Sequence, residues 1–84
     1  MADSYRNIIR RYLLDSLAMN ELDDGMDIFE ARIANSLFAI KLMTFIEKNT
    51  HIKIGSGDLD IANFRSVDAI SEFVDRKKSA QAIP

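Results

Sequence analysis

Residues 37 to 46 read Leu-Phe-Ala-Ile-Lys-Leu-Met-Thr-Phe-Ile, with only Lys41 and Thr44 polar. A chain of 84 residues can build one modest core, and a segment this apolar must sit at or beside it. At helical spacing Ala39, Leu42, Met43 and Ile46 fall on one stripe, and Leu37, Ile40 and Thr44 on a second. Phe38 and Phe45 lie at the borders, and Lys41 stands beside Ile40. A helix in a small domain needs only one buried face. The second apolar face is therefore either covered by the rest of the chain or left open to dock another protein. Periodicity leaves both readings open.

The rest of the chain also reads as helical. Asp3 and Ser4 are candidate caps for a first helix over about 3–19, whose stripe is Tyr5, Ile8, Ile9, Tyr12, Leu13 and Leu17. Arg6, Arg10, Arg11 and Asp15 fall on its other face. The pattern dissolves in the acidic stretch from Asn20 to Asp27, so residues 20–35 are expected to form a long loop, pinned to the core by Met26, Ile28, Phe29 and Ile33. A second helix spans 36–48. Ile52-Lys53-Ile54 is too short to read as a strand, Gly55-Ser56-Gly57 is a turn, and 58–63 can hold a short helix. Ser66 caps a last helix over 66–77, with Val67, Ile70, Phe73 and Val74 on its stripe. Asp68 in its first turn and Arg76, Lys77 and Lys78 at its end suit the helix dipole. The expectation is an all-α fold, a small bundle of three main helices and one short one, with a single domain over 1–78 and a flexible tail over 79–84.

The side-chain inventory for catalysis is poor. With no Cys there is no disulfide, no thiolate metal site and no thiol nucleophile. The single His51 cannot build a multi-histidine site, has no evident nucleophile beside it, and reads as a solvent-facing loop residue. Asp23-Asp24 and Asp27 with Glu30 could suggest a cation site, but the spacing misses the calcium-loop pattern, and a solvated acidic loop is the simpler reading. The net charge of −2, with signs interspersed, offers no basic stripe for nucleic acid. No apolar run approaches the ~18–20 residues of a membrane span, and the first residues lack the layout of a secretory signal. A soluble, cytoplasmic, monomeric protein without a metal is expected.

Ser36, preceded by Asn35, opens the apolar helix. A Ser there is ordinarily an N-cap contributing about 1 kcal/mol. A hydroxyl at a helix N-terminus is also a favourable place for a phosphoester, because free backbone N–H groups and the positive end of the dipole stabilise the added charge.

The run from Asn35 to Glu47, Asn-Ser-Leu-Phe-Ala-Ile-Lys-Leu-Met-Thr-Phe-Ile-Glu, resembles the modification-site signature of acyl and peptidyl carrier proteins. In that family an Asp-Ser-Leu or Asn-Ser-Leu begins the second helix, and the Ser carries 4′-phosphopantetheine. Ile28-Phe29-Glu30 resembles the loop leading into the site, and Asn63-Phe64-Arg65-Ser66-Val67-Asp68-Ala69-Ile70 resembles the junction between the family's third and fourth helices. The likeness covers nearly the whole chain. It is nearest to the small stand-alone carriers of unusual extender or starter units, such as methoxymalonyl, hydroxymalonyl or aminomalonyl groups, in polyketide and nonribosomal peptide assembly.

The resemblance implies an acyl-carrier-like four-helix bundle that is not itself an enzyme, with Ser36 as the covalent attachment point. Its implied partners are a phosphopantetheinyl transferase, acyl-loading and acyl-modifying enzymes, and the acyltransferase of a polyketide synthase or peptide synthetase. The residues implied to meet them are Asn35, Leu37, Phe38, Ile40 and Lys41. Two departures stand out: Asn35 replaces the commoner Asp, and Ile33-Ala34 replaces a glycine-containing lead-in. The second helix also lacks the acidic face of fatty-acid carriers, having Lys41 and Lys48 against Glu47 alone. That points to recognition through Leu37, Phe38 and Ile40 and argues against interchange with a fatty acid synthase. The rival from another class is a small helical adaptor that uses the same apolar helix without a prosthetic group. An enzyme built on His51 is a distant third.

Overall fold

A computed structural model describes residues 2–81. Three α-helices, α1 (Ala2–Ser16), α2 (Ser36–Thr50) and α3 (Val67–Gln81), carry the fold, and no strand occurs among the described residues. The chain is all-helical, as the apolar spacing predicts. The short helix expected over 58–63 is instead two single 3-10 turns, Ser56–Asp58 and Ile61–Asn63. They are separated because two carboxylates cap locally: Asp58 accepts from the Gly55 N–H at 2.9 Å, and Asp60 accepts from the Ala62 N–H at 3.0 Å.

Helix ends differ from expectation in four places: α2 runs to Thr50 rather than 48, and the other three have local causes. Asp3 and Ser4 lie inside α1 rather than ahead of it, since the helix already begins at Ala2. At the other end α1 stops at Ser16 rather than near 19, because Ala18 adopts a left-handed φ of 53°. The Met19 N–H then reaches back to the Leu14 carbonyl at 2.9 Å, and the Ala18 N–H to that of Asp15 at 3.4 Å, the paired closure of a Schellman motif. The motif normally uses Gly, and with Ala in its place the sequence gives little warning of the stop. At the third end α3 runs on through Ser79 and Ala80 to Gln81, where a flexible tail was expected. The Gln81 amide holds both polar groups of Lys53, accepting from its N–H and donating to its carbonyl, each at 3.1 Å. Residues 82–84 of the expected tail lie outside the described residues.

The core joins Ile9 and Leu13 of α1, Leu42 and Ile46 of α2, and Val67, Ile70, Phe73 and Val74 of α3, with Ile28, Ile52 and Phe64 supplied by the connections. The α2 stripe buries Ala39, Leu42 and Ile46, leaves Met43 half-buried, and turns Leu37, Ile40 and Thr44 outward. Phe38 and Phe45 sit half-buried at the borders, beside Tyr12 of α1. The two apolar stripes of α2 therefore have different fates.

The 20–35 connection has no regular secondary structure, yet it is fastened at Asp24 and again at Asp27 and Ile28. Arg10 grips the Asp24 carboxylate with Nε and Nη2 at 2.6 to 3.0 Å. Arg6 reaches Asp24 at 3.0 Å and also pairs with Asp68 of α3, whose own N–H donates to the Asp24 carbonyl at 2.9 Å. Asp24 is thus not the solvated loop carboxylate that its neighbours suggest, and Arg6 and Arg10 do not simply face water. Further along, Asp27 Oδ1 accepts from the N–H groups of Phe29 and Glu30, while Ile28 is buried and its N–H donates to the Arg65 carbonyl at 2.7 Å. A left-handed Arg32, φ 62°, then redirects the chain toward α2.

Candidate functional site

The start of α2 is organised by Asn35. Its backbone is extended (φ −132°, ψ −179°), its Oδ1 accepts from the Phe38 N–H at 3.0 Å, and its carbonyl accepts from the Ala39 N–H at 3.0 Å. Asn35 is therefore the N-cap, and Ser36 is the first helical residue. This corrects the simplest reading of Ser36, in which its hydroxyl would itself do the capping. The cap being supplied, the Ser36 hydroxyl is exposed, and no hydrogen bond engages its Oγ among the described residues.

The electrostatics around that hydroxyl favour an added anion. The first turn of α2 contains no acidic side chain. Its N–H groups at Ser36 and Leu37 lie outside the helix's own hydrogen-bond ladder, at the positive end of the dipole. A phosphodiester on Ser36 Oγ fits there. The group is not activated from within, however. His51 closes the far end of α2 in a left-handed conformation, φ 61°, and fifteen residues of helix rise set it about 22 Å from Ser36. A serine hydroxyl with no base in hydrogen-bond reach is a weak nucleophile.

Leu37 and Ile40, in the first turns after Ser36, are 63% and 58% exposed, with Lys41 exposed beside them. Phe38 departs from this group: it turns toward α1, where its ring lies 6.1 Å from that of Tyr12. The outward patch of α2 is thus Ser36, Leu37, Ile40, Lys41 and Thr44. Ser36, Ala39 and Met43 follow one another along one side of the helix, and that side borders a cleft of about 160 Å³ lined by Ala39, Met43, Leu59, Asp60, Ile61 and Phe64. Leu59 and Ile61 are half or more exposed and extend the apolar surface next to Ser36. Both fall in the segment that spacing assigns to a short helix, where the sequence carries no sign of their exposure.

The other candidates lead elsewhere. Asp27, Glu30, Asp68 and Glu72 surround a polar pocket with Arg65, but among the described residues no three acidic or His side chains converge as a metal site would require. Asp23 is exposed. Gly55 precedes the first 3-10 turn and Ser56 and Gly57 lie within it, in keeping with the turn assigned from sequence. No helix of the described residues is long and apolar enough to cross a membrane. Compared with models of known protein families the chain matches none, and comparison with curated proteins gives no match either.

Proposed function

We propose that the chain is an acyl carrier that holds a small acyl or aminoacyl group on a 4′-phosphopantetheine arm attached to Ser36. The observation that carries this reading is the division of labour at the start of α2. Asn35 performs the capping, so Ser36 keeps an exposed, unengaged hydroxyl at a helix N-terminus, with the outward apolar side chains Leu37 and Ile40 in the turn that follows. The resemblance of residues 35–47 to the carrier signature supplies the chemistry. The all-helical order, with a short irregular passage before the last helix, agrees with a carrier-like bundle.

In this reading a phosphopantetheinyl transferase joins Ser36 Oγ to the phosphorus of coenzyme A that bears pantetheine. The pyrophosphate bond breaks, adenosine 3′,5′-bisphosphate leaves, and the hydroxyl proton passes to the transferase. The arm supplies the thiol that the chain lacks, and this thiol holds the acyl group as a thioester. The protein itself makes and breaks no cargo bond. It presents α2, with Leu37, Ile40 and Lys41, to each partner in turn, as a cytoplasmic monomer. Tethering converts bimolecular encounters into local ones, and contacts of this kind must stay small so that the carrier can move on.

The outward Leu37 and Ile40 also suit an adaptor without a prosthetic group. Co-expression with a broad-specificity phosphopantetheinyl transferase separates the two. A carrier gains one phosphopantetheine in intact mass and the Ser36→Ala variant gains none, whereas an adaptor gains none in either form.

A further inference from the structure

On the side of α2 away from Ser36, a groove of about 420 Å³ lies between α1 and α2, lined by Asn7, Ile8, Arg11, Tyr12, Asp15 and Phe45. Its surface is almost wholly apolar. Tyr12 and Phe45 form the floor, their rings stacked with centroids 3.9 Å apart and planes 17° from parallel. Ile8, on the wall, is 40% exposed although its neighbour Ile9 is fully buried. Phe45 comes nine residues after Ser36, two and a half turns along, which places it on the opposite side of the helix.

The lining itself is balanced, with Arg11 and Asp15, and the excess charge comes from two lysines of α2 on the side of Phe45. Lys41 and Lys48 stand one turn before and one turn after Phe45, about 10 Å apart along the axis. Arg11 lines the α1 side. Among the described residues none of these three cations makes an ion pair, although Arg6, Arg10 and Lys77 all do. Against them stands one carboxylate at the groove, Asp15. A chain of net charge −2 thus places three cations that make no ion pair among the described residues at or near an apolar groove.

We infer that this groove docks a protein partner through an acidic amphipathic segment. One apolar side chain of the segment enters between Ile8, Tyr12 and Phe45, and its carboxylates meet Arg11, Lys41 and Lys48. Three features select this occupant. The groove is open along one side, so a small molecule would leave much of its surface wet, unlike ligands in enclosed pockets. It is concave, which suits a protruding side chain rather than a flat bilayer. The chain's own acidic pocket, around Asp27, Glu30, Asp68 and Glu72, is polar and offers no apolar knob, so that face of a second copy is a poor match. Buried apolar contact supplies affinity, while the rim charges steer the approach and select the sign of the partner. The groove and Ser36 lie on opposite sides of α2, so Ser36 remains open while the groove is filled, although Lys41 is shared with the outward patch.

The test uses the ¹⁵N-labelled full chain and two synthetic helical peptides, one built from Leu, Glu and a single Phe, the other with every Glu replaced by Lys. The acidic peptide is expected to shift the amides of Ile8, Tyr12 and Phe45 and to bind about tenfold tighter than the basic one. The Lys41→Glu/Lys48→Glu double variant reverses that preference, and Ile8→Ser weakens binding of the acidic peptide, with both variants keeping the native amide spectrum. Equal binding of the two peptides, shifts centred on Leu37 and Ile40 or on the acidic pocket, or a stronger response of the same amides to phosphatidylglycerol vesicles overturns the inference. Concentration-dependent shifts of these amides in the peptide-free chain identify a second copy as the occupant and overturn it equally.

Discussion

Asn35 accepts a hydrogen bond from the Phe38 N–H at 3.0 Å, and this one contact decides which residue caps α2 and which is left available. Removing it exposes an orphan donor at the helix start. Asn35→Ala is expected to lower stability by about 1 kcal/mol. Asn35→Asp keeps the acceptor and places a negative charge at the positive end of the dipole, so it should equal or exceed the wild type. Urea unfolding of the three proteins checks the order. A stable Asn35→Ala protein would mean that Ser36 can take over the cap.

The two stripes of α2 should respond oppositely to truncation. Leu42 is fully buried, and Leu42→Ala is expected to cost about 3 kcal/mol through lost burial and a residual cavity. Leu37→Ala, at 63% exposure, should change stability by no more than about 0.5 kcal/mol. Thermal melts of both variants measure the contrast, which fails if the exposed stripe proves as costly as the buried one.

The clamp on the 20–35 connection has a pH signature. The Arg10 guanidinium, and after it Arg6, holds the Asp24 carboxyl below its ordinary range. A carboxyl with a lowered folded-state pKa contributes stability that is fully present above the unfolded value and is lost as pH falls through the folded one. Stability should therefore be flat near neutrality and decline below about pH 4. Asp24→Asn is expected to be less stable at pH 7 by of order 1 kcal/mol, because the pairs are partly solvent-exposed. It should also show a shallower acid decline. Stability curves at pH 7 and pH 3 test this, and parallel declines in the two proteins would remove Asp24 as the cause.

Ser71 of α3 is buried, and its Oγ has no hydrogen-bond partner among the described residues. An unsatisfied buried hydroxyl costs free energy that an alanine methyl does not. Ser71→Ala is expected to raise stability by about 1 kcal/mol, read as an upward shift of the thermal midpoint. A loss of stability would show that the hydroxyl is bonded in solution.

Much of this architecture can be read from residue spacing, and what cannot be read has a physical pattern. The buried stripe of Ala39, Leu42 and Ile46, the outward Leu37, Ile40 and Thr44, and the bordering Phe38 and Phe45 all follow from a 3.6-residue period. The core face of α3 follows in the same way. What spacing misses is set by partners distant in sequence. Arg6 and Arg10 look solvent-facing until Asp24 is brought to them, and α3 continues past 78 because Gln81 finds Lys53. Ala18 ends α1 in a conformation that composition gives no reason to expect of alanine. At the candidate site, the position of Ser36 at the head of α2 is visible in sequence. That Asn35 rather than Ser36 caps the helix depends on an offset of one residue, which pattern alone does not resolve. Ile8 looked like one more core residue, and only the placement of α2 leaves it at the edge of an open groove.

The most direct test of the carrier reading is to locate the modification by fragment mass spectrometry after co-expression with a phosphopantetheinyl transferase. The account predicts a single phosphopantetheine on the peptide containing Asn35-Ser36-Leu37, with fragment ions placing it on Ser36 and none on Ser16, Ser56, Ser66 or Ser71. An unmodified chain, or a group carried by any other residue, would contradict it.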